Sequence, residues 1–466
     1  MTIYDTQAHH ADIEAIRYLS KVASTNQRTD AKQVFYSRQA YDTLQNQQRV
    51  ARLLPARLKA YRAASRGEPL EGPSMVARLS ALVDHAFQNT VLYRNLYTAA
   101  GFTLGDIRTL ADFEALPVIT KQDLRDCPEH ERICQSVALP SYTSRTSGSS
   151  GAALSVKYGD QQYVESMTHY LWQLEQALGK PVDPQRWIYN IHHARWWLSS
   201  VQGQYRTFAI NDLPPLEALA AHLDVLRPQV LVTLPSYLAT LVAHGVDLKQ
   251  YGVEAITTNS EQSSPLERRQ YEAYFGMPVR DEYSSVELEQ IAFECSHGRH
   301  HVLEGSVYVE TLDPDADGVG TVVGTNLQAW HMPMIRYNQG DLAVMAQEPC
   351  GCSAHTPALM HLHGRRNASF QARDGRVVPS ASILGIVDDF LMRTGNGVEA
   401  YRLYQMSVDE MALYHTGACQ RLDSTALQQQ LQRLFGHALV LNLKHVDELP
   451  QQASYKRQLL VSLVMA

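Results

Sequence analysis

Between residues 185 and 285, apolar runs short enough for strands (RWIYNI, VLVTLP, VEAITT) alternate with helical runs (LEALAAHLDVL, SYLATLVAHG, PLERRQYEAYFG). Parallel strands cannot be joined by tight turns, so such alternation is the pattern of βαβ units and a largely parallel sheet. It places the chain in the α/β class. The flanks have other textures. Upstream, IEAIRYLSKVA, QAYDTLQNQQRVARLLPARLKAYRAA and MVARLSALVDHAFQNTVLYRNLYTAAG carry apolar residues at helical spacing. From 300 to 365, SVYVETL, VGTVVGTNL and MIRYNQGDLAVM read as short strands between Gly, Pro and Asp turns. Beyond 365, AYRLYQMSV, MALYHTG, STALQQQLQRLFG and LVLNLKHVDELP describe a small α+β unit. With 466 residues the chain outgrows a single core. The expected division is a helical N-terminal extension over 1–84, a large domain over 85–364 with parallel sheets, helices and a β-rich subdomain, and a small α+β C-terminal domain over 365–466.

Composition removes several function classes. A formal charge of −7 offers no basic excess to neutralise phosphates, so nucleic acid is not an expected partner. The N-terminus lacks a basic segment followed by an apolar one, and no apolar run approaches the roughly 18 residues of a membrane span. Six cysteines are too sparse for a disulfide scaffold. A cytoplasmic, reducing location is the expectation.

The chemistry-bearing stretch is SRTSGSSG over 144–151, lying between two strand-like runs. Phosphates bind where several N–H and O–H donors converge on a backbone that approaches closely, and Gly with Ser/Thr supplies both. A flexible Gly/Ser turn has the same composition. Neither a Walker-type loop nor a dinucleotide-binding GxGxxG occurs.

TSGSSG resembles the phosphate loop of the adenylate-forming superfamily, and other segments narrow the resemblance to phenylacetate–CoA ligase-like enzymes. NTVLYRNLYTAAGF and LPVITKQDLRD are similar to that family's N-terminal signatures. DEYSSVE resembles its Asp-x-Tyr-Gly-x-Thr-Glu segment, MIRYNQGD its Arg-Tyr-x-x-Gly-Asp segment, and HLHGRRN its Gly-Arg hinge. They occur in the family's order over roughly residues 85 to 456. The resemblance implies ATP and Mg²⁺ as cofactors. Thr146, Ser147, Gly148, Ser149, Ser150 and Gly151 would hold phosphates, and Ser260, Glu261 and Gln262 would stand at the adenine loop. Tyr283 would lie beside adenine with Ser284 and Ser285 following, Glu287 would help hold Mg²⁺, Asp341 would grip the ribose hydroxyls, and Arg365 would lie near ribose and phosphate. A lone Glu, Asp or Arg is more often a solvated surface residue; the shared order lifts these above that reading. Lys456 stands where the family has a catalytic lysine, although Tyr455 replaces the usual glycine before it. Ser284 replaces Gly, Ser285 replaces Thr, Ala152 follows the loop where Lys or Pro is usual, and Asn367-Ala368 replaces an acidic hinge pair.

Cys295, Cys350 and Cys352, with His301, resemble a four-ligand structural Zn²⁺ site found in some of these proteins; His297 and His300 could substitute for His301. Three buried cysteines without metal is the other reading. WIYNIHHARWWL over 187–198 either lines an acyl pocket through His192, His193, Trp196 and Trp197, favouring a flat or aromatic acid, or packs a buried strand. The expected activity is conversion of a small carboxylic acid and ATP to an acyl-adenylate and pyrophosphate, then transfer to coenzyme A. An amine or a carrier-protein thiol is the alternative acceptor, and a catalytically weakened nucleotide- or acyl-binding partner protein the reading outside enzymology. A homodimer is left open as the assembly.

Overall fold

A computed structural model describes residues 44–64, 68, 72–134, 142–146, 154–191, 197–201, 204–210, 216–261, 263–352, 354, 356–365, 370–378, 380–394, 397–419, 422–450 and 459–464. The first helical run of the sequence reading, near residues 13–23, lies outside them.

The βαβ pattern builds the centre. Strands β4 (Ile188–Ile191), β7 (Val230–Thr233), β8 (Ala255–Thr258) and β9 (Val279–Ser285) pair in parallel in that order. Every residue of β4, β7 and β8 is buried, which is why they read as unbroken apolar runs. The crossovers are α7 (Leu216–Leu226), α8 (Pro235–Ala243) and α9 (Pro265–Phe275). On one face Leu219, Leu223, Tyr237, Leu241 and Phe275 pack against Tyr189, Leu231 and Ile256. On the other lies α6 (Asp160–Leu178), whose Leu171 and Trp172 share a core with Ile188, Val230 and Val232.

The sheet continues antiparallel through β10 (Glu289–Glu294), β11 (His300–Val302), β15 (Ala358–Arg365), β14 (Tyr337–Met345), β13 (Val319–Asn326) and β12 (Val307–Leu312). At the opposite edge come β6 (Gln204–Ile210) and β5 (Trp197–Val201). A short strand β1 (Ile119–Thr120) joins β14 in parallel and makes thirteen strands among the described residues.

Helix α1 (Leu44–Ala64) docks on α6, sealed by buried Leu54 and Leu58 and by an Arg62–Glu175 ion pair. The run at 75–101, read from sequence as helical, forms two helices: α2 (Met75–Asn89) and α3 (Val91–Ala99). Thr90 breaks it, because its hydroxyl donates to Ala86 O at 2.8 Å while accepting the Tyr93 N–H at 3.2 Å, an N-cap that favours a new start. Beyond 370, α10 (Ser380–Thr394) and α11 (Thr425–Phe435) cover a four-stranded sheet of β18 (Val398–Ser407), β19 (Glu410–Gly417), β20 (Val440–His445) and β21 (Leu460–Ser462). Their core, from Phe370 to Leu460, is separate from the other two.

Candidate functional site

The strands that flank the glycine-rich stretch form a hairpin. Strands β2 (Tyr142–Arg145) and β3 (Ser155–Tyr158) pair antiparallel, and Thr146 and Leu154 clasp the loop's base. Thr146 N donates to Leu154 O at 3.0 Å, and Leu154 N donates to Thr146 Oγ1 at 2.9 Å. The Thr146 hydroxyl is therefore committed to shaping the loop. Ser147, Gly148, Ser149, Ser150 and Gly151 lie outside the described residues. The stem is tied to the next motif by Tyr158, whose hydroxyl donates to Val286 O.

Val286 belongs to the tight turn between β9 and β10, where Leu288 N donates to Ser285 Oγ at 3.1 Å. The hydroxyl at Ser285 is thus a turn former. This turn presents Glu287, a carboxylate only 6% exposed. A buried charge needs partners, and Glu287 has two: Tyr337 donates its hydroxyl to Oε1 at 2.8 Å, and Lys121 Nζ stands 3.5 Å from the same oxygen. Parallel pairing of Ile119 with Tyr337 brings Lys121 there. The capping box of Thr120 and Asp123 then starts α5 (Lys121–Asp126) at that lysine.

The second cluster lies on β9 and β14. Tyr283 donates its hydroxyl to Asp341 Oδ2 at 2.8 Å and accepts from Gln339 Nε2 at 2.5 Å. Asp341 is the strand partner of Arg365 on β15. Tyr283, Asp341 and the Arg365 backbone are therefore brought together, as the motif order implies. Ser284 is exposed and hydrogen-bonds the Glu282 carboxyl.

Ser260 and Glu261 follow the C-terminal end of β8, the edge where open parallel sheets bind ligands. Ser260 is exposed with φ 66°, and Glu261 is buried with Oε2 accepting the Ser236 N–H at 3.1 Å. That carboxylate caps the positive end of α8. Gln262, His192, His193, Trp196 and Lys456 lie outside the described residues; Trp197 opens β5.

Lys121, Tyr337 and Gln339 complete the site without having been singled out from sequence. All three sit inside quoted motifs, LPVITKQDLRD and MIRYNQGD, so the signal was present. What sequence cannot supply is the contact of Lys121 with a carboxylate 166 positions later.

The fold and these clusters can now be set beside known proteins. The phenylacetate–coenzyme A ligase of Thermus thermophilus is 25% identical over 331 residues, spanning 65% of this chain and 72% of the relative. That of Escherichia coli is 25% identical over 322 residues, spanning 65% and 73%. The chain is thus similar in sequence to phenylacetate–CoA ligases over about two thirds of its length. No protein-family model matches the chain. Among solved structures, a 2-hydroxyisobutyryl-CoA ligase in the postadenylation state, in complex with an acyl-AMP, superposes with a TM-score of 0.66 at 18% identity. The match covers 83% of this chain and 88% of that one. An open conformation of the same ligase, with 2-HIB-AMP and CoA, gives 0.60 at 20% identity.

A candidate metal centre lies beyond β10. The ligand atoms of Cys295, His297, Cys350 and Cys352 are all within 4.8 Å of one another. Cys295 and Cys350 sulfurs are 3.7 Å apart, close to the roughly 3.8 Å that two 2.3 Å bonds subtend at a tetrahedral zinc. His301, the first-named histidine of the sequence reading, is buried 3.1 Å from Cys352 Sγ, with its other nitrogen facing Thr356 O at 3.2 Å. His297 is the histidine that joins all three sulfurs. His300 is turned to Asp281, 3.2 Å away. Burial pushes the Cys295 thiol up and the Cys352 thiol up to about 12.

Proposed function

We propose that this chain joins a carboxylic acid to ATP, releasing pyrophosphate, and then passes the acyl group from the adenylate to the thiol of coenzyme A. A carboxylate oxygen of the acid bonds to the α-phosphorus as the bond to the β-phosphate oxygen breaks. The CoA sulfur then bonds to the acyl carbon, and AMP leaves with the electron pair. The single observation that carries this reading is the buried Glu287, held by Tyr337 and Lys121 and tied through Val286 to the hairpin that bears the Ser/Gly loop. Its acceptor chemistry fits Mg²⁺, which when bound neutralises charge on the phosphates. Lys121 supplies a fixed cation on the same carboxylate. Asp341, fixed by Tyr283, accepts from hydroxyls such as those of ribose. Lys456 is proposed to bring a second cation to the reacting carboxylate. The similarity to phenylacetate–CoA ligases supports CoA as acceptor.

Acid-dependent ATP–pyrophosphate exchange tests the first half and CoA-dependent thioester formation the second. Exchange supported by at least one acid of a broad panel, and lowered by about 10²–10³ in Glu287→Gln, is expected. No exchange from any acid would overturn the reading, whereas exchange without thioester would move the acceptor to an amine or a carrier protein.

We also propose a small C-terminal domain that follows β15, since the expected divisions at residues 84 and 364 fall inside α2 and β15, and a closed structural Zn²⁺ site of Cys295, His297, Cys350 and Cys352. The site would clip the β14–β15 connection to the β10–β11 turn. No helix among the described residues is long and apolar enough to cross a membrane.

A further inference from the structure

The stretch that follows β8 turns sharply at the edge where parallel sheets take ligands. Glu261 N donates to Asn259 O at 2.8 Å, and this tight turn holds Ser260 at φ 66°. A residue with a side chain is strained in that left-handed region, and such strain persists only where neighbours enforce it. The enforcing contacts stand at both ends of the stretch. At its start Thr258, the last residue of β8, donates its hydroxyl to Asp281 Oδ1 at 2.8 Å across the β8–β9 pairing. At its end Ser263 is gripped by Arg268, whose Nη1 donates to the Ser263 carbonyl at 2.7 Å and to its Oγ at 2.8 Å.

One carboxylate joins the two ends. Glu294 on β10 accepts from Arg268 Nη2 at 2.7 Å through Oε1, and from Asp281 N at 3.0 Å through Oε2. Thr258, Asp281, Glu294, Arg268 and Ser263 thus form an unbroken hydrogen-bonded bracket around the turn at Ser260. Arg268 and Glu294 are both buried. Burial works against the Arg268 charge, and Glu294, Asp281 and Glu267 more than offset it. Local preference does not explain a cation here: Ser264 is the N-cap of α9, so Arg268 stands near the helix end that favours anions. Stability does not explain it either, because a buried ion pair seldom stabilises more than well-packed apolar residues would. What the pair adds is direction, since a planar guanidinium forked between Ser263 and Glu294 fixes orientation as well as distance. The bracket also reaches the second cluster of the site, for Asp281 and Tyr283 are two residues apart on β9.

We propose that Arg268 is a positioning residue for the nucleotide: backed by Glu294, it locks the turn at Ser260 and Glu261 in the shape that receives ATP. Neither Arg268 nor Glu294 touches the reacting atoms; both act through the turn. This inference rests on the adenylation reading above and deepens it.

ATP–pyrophosphate exchange, run with an acid that the parent activates, tests it. In Arg268→Gln the KM for ATP should rise about tenfold while the KM for the acid stays within about twofold, because only the seat of the nucleotide has slackened. Arg268→Lys keeps the charge but not the fork, and should fall between that variant and the parent. Since Arg268→Gln leaves Glu294 buried without its cation, a double variant separates folding from positioning. Arg268→Met with Glu294→Gln removes both charges and keeps an acceptor for Asp281 N. A buried pair replaced as a unit costs little stability, so a KM for ATP still raised about tenfold there reports position rather than folding. An unchanged KM for ATP in the double variant, or a rise matched by the KM for the acid, would overturn the inference and leave adenylation standing. A parent that shows exchange with no acid would remove the adenylation reading and this inference with it.

Discussion

Glu287 illustrates what a buried carboxylate must satisfy at the proposed phosphate site. Its carboxylate is held out of water, and both of its partners, Tyr337 and Lys121, meet at Oε1. Removing its charge while keeping its shape isolates the electrostatic part of its role. Glu287→Gln is expected to lower kcat for adenylation by about 10²–10³, the scale of loss when one electrostatic stabiliser of the developing phosphate charge, here the Mg²⁺ that Glu287 would hold, is weakened. The acid's own KM should move little. Tyr337→Phe keeps the ring and removes only the donor, so a smaller loss of about tenfold is expected from a slackened carboxylate. Steady-state exchange kinetics check both, and a raised KM with kcat unchanged for Glu287→Gln would argue that the residue merely binds substrate.

At the scale of elements, the glycine at position 305 controls how α1 seats on the body. A Cβ there would overlap Tyr61 Oη and Cζ. Tyr61 is buried against His169, which meets Ser306 Oγ at 2.5 Å and whose pKa burial lowers to about 3, so the group stays neutral. The ring cannot retreat without breaking that chain. Gly305→Ala should therefore cost about 1–3 kcal/mol, as overpacking does, read as a drop in the urea midpoint. A fully neutral effect would mean that α1 is free to shift. The proposed zinc clip is tested at the same scale. Purified protein should carry close to one equivalent of zinc; less than about half would argue against the four-ligand site. Chelation should lower the melting temperature, and Cys352→Ser should abolish the chelator's effect.

Elements also show where sequence was sufficient. The run LEALAAHLDVL is α7 residue for residue, because a crossover helix on a buried sheet has only one apolar pattern. The strands β4, β7 and β8 were legible for the same reason, being buried on both sides. The hairpin of β5 and β6 was not, since WWLSSV and QYRTFAI lack strict alternation and their pairing at Val201 and Gln204 is a matter of register. The motif order was legible, and it anticipates the neighbourhood of Tyr283, Asp341 and the Arg365 backbone.

Across the whole molecule, the core from Phe370 to Leu460 meets the parallel-sheet half where Asp388 on α10 reaches α9. Asp388 is 6% exposed, accepts the Tyr401 hydroxyl at 2.6 Å and hydrogen-bonds Ser264, the N-cap of α9. Burial foremost, with Glu267 nearby, raises its pKa from 3.8 to about 6, against the pull of Tyr401, Ser264 and Arg269. Between pH 3.8 and about 6 the folded protein keeps a proton that the unfolded chain has released, so stability falls as pH rises through that window. Above it the charged carboxylate carries a constant penalty on the order of 3 kcal/mol. Asp388→Asn should then be more stable than the parent at pH 8 by about 1–3 kcal/mol, with the gap closing below pH 4. Urea unfolding of both proteins from pH 4 to 8 measures it. The same variant identifies the seam: if its unfolding shows one transition at pH 8 where the parent shows two, the penalty is borne by the contact between the cores. A gap that is independent of pH would instead assign the change to packing within α10, and would remove Asp388 as the group that couples the two halves to pH.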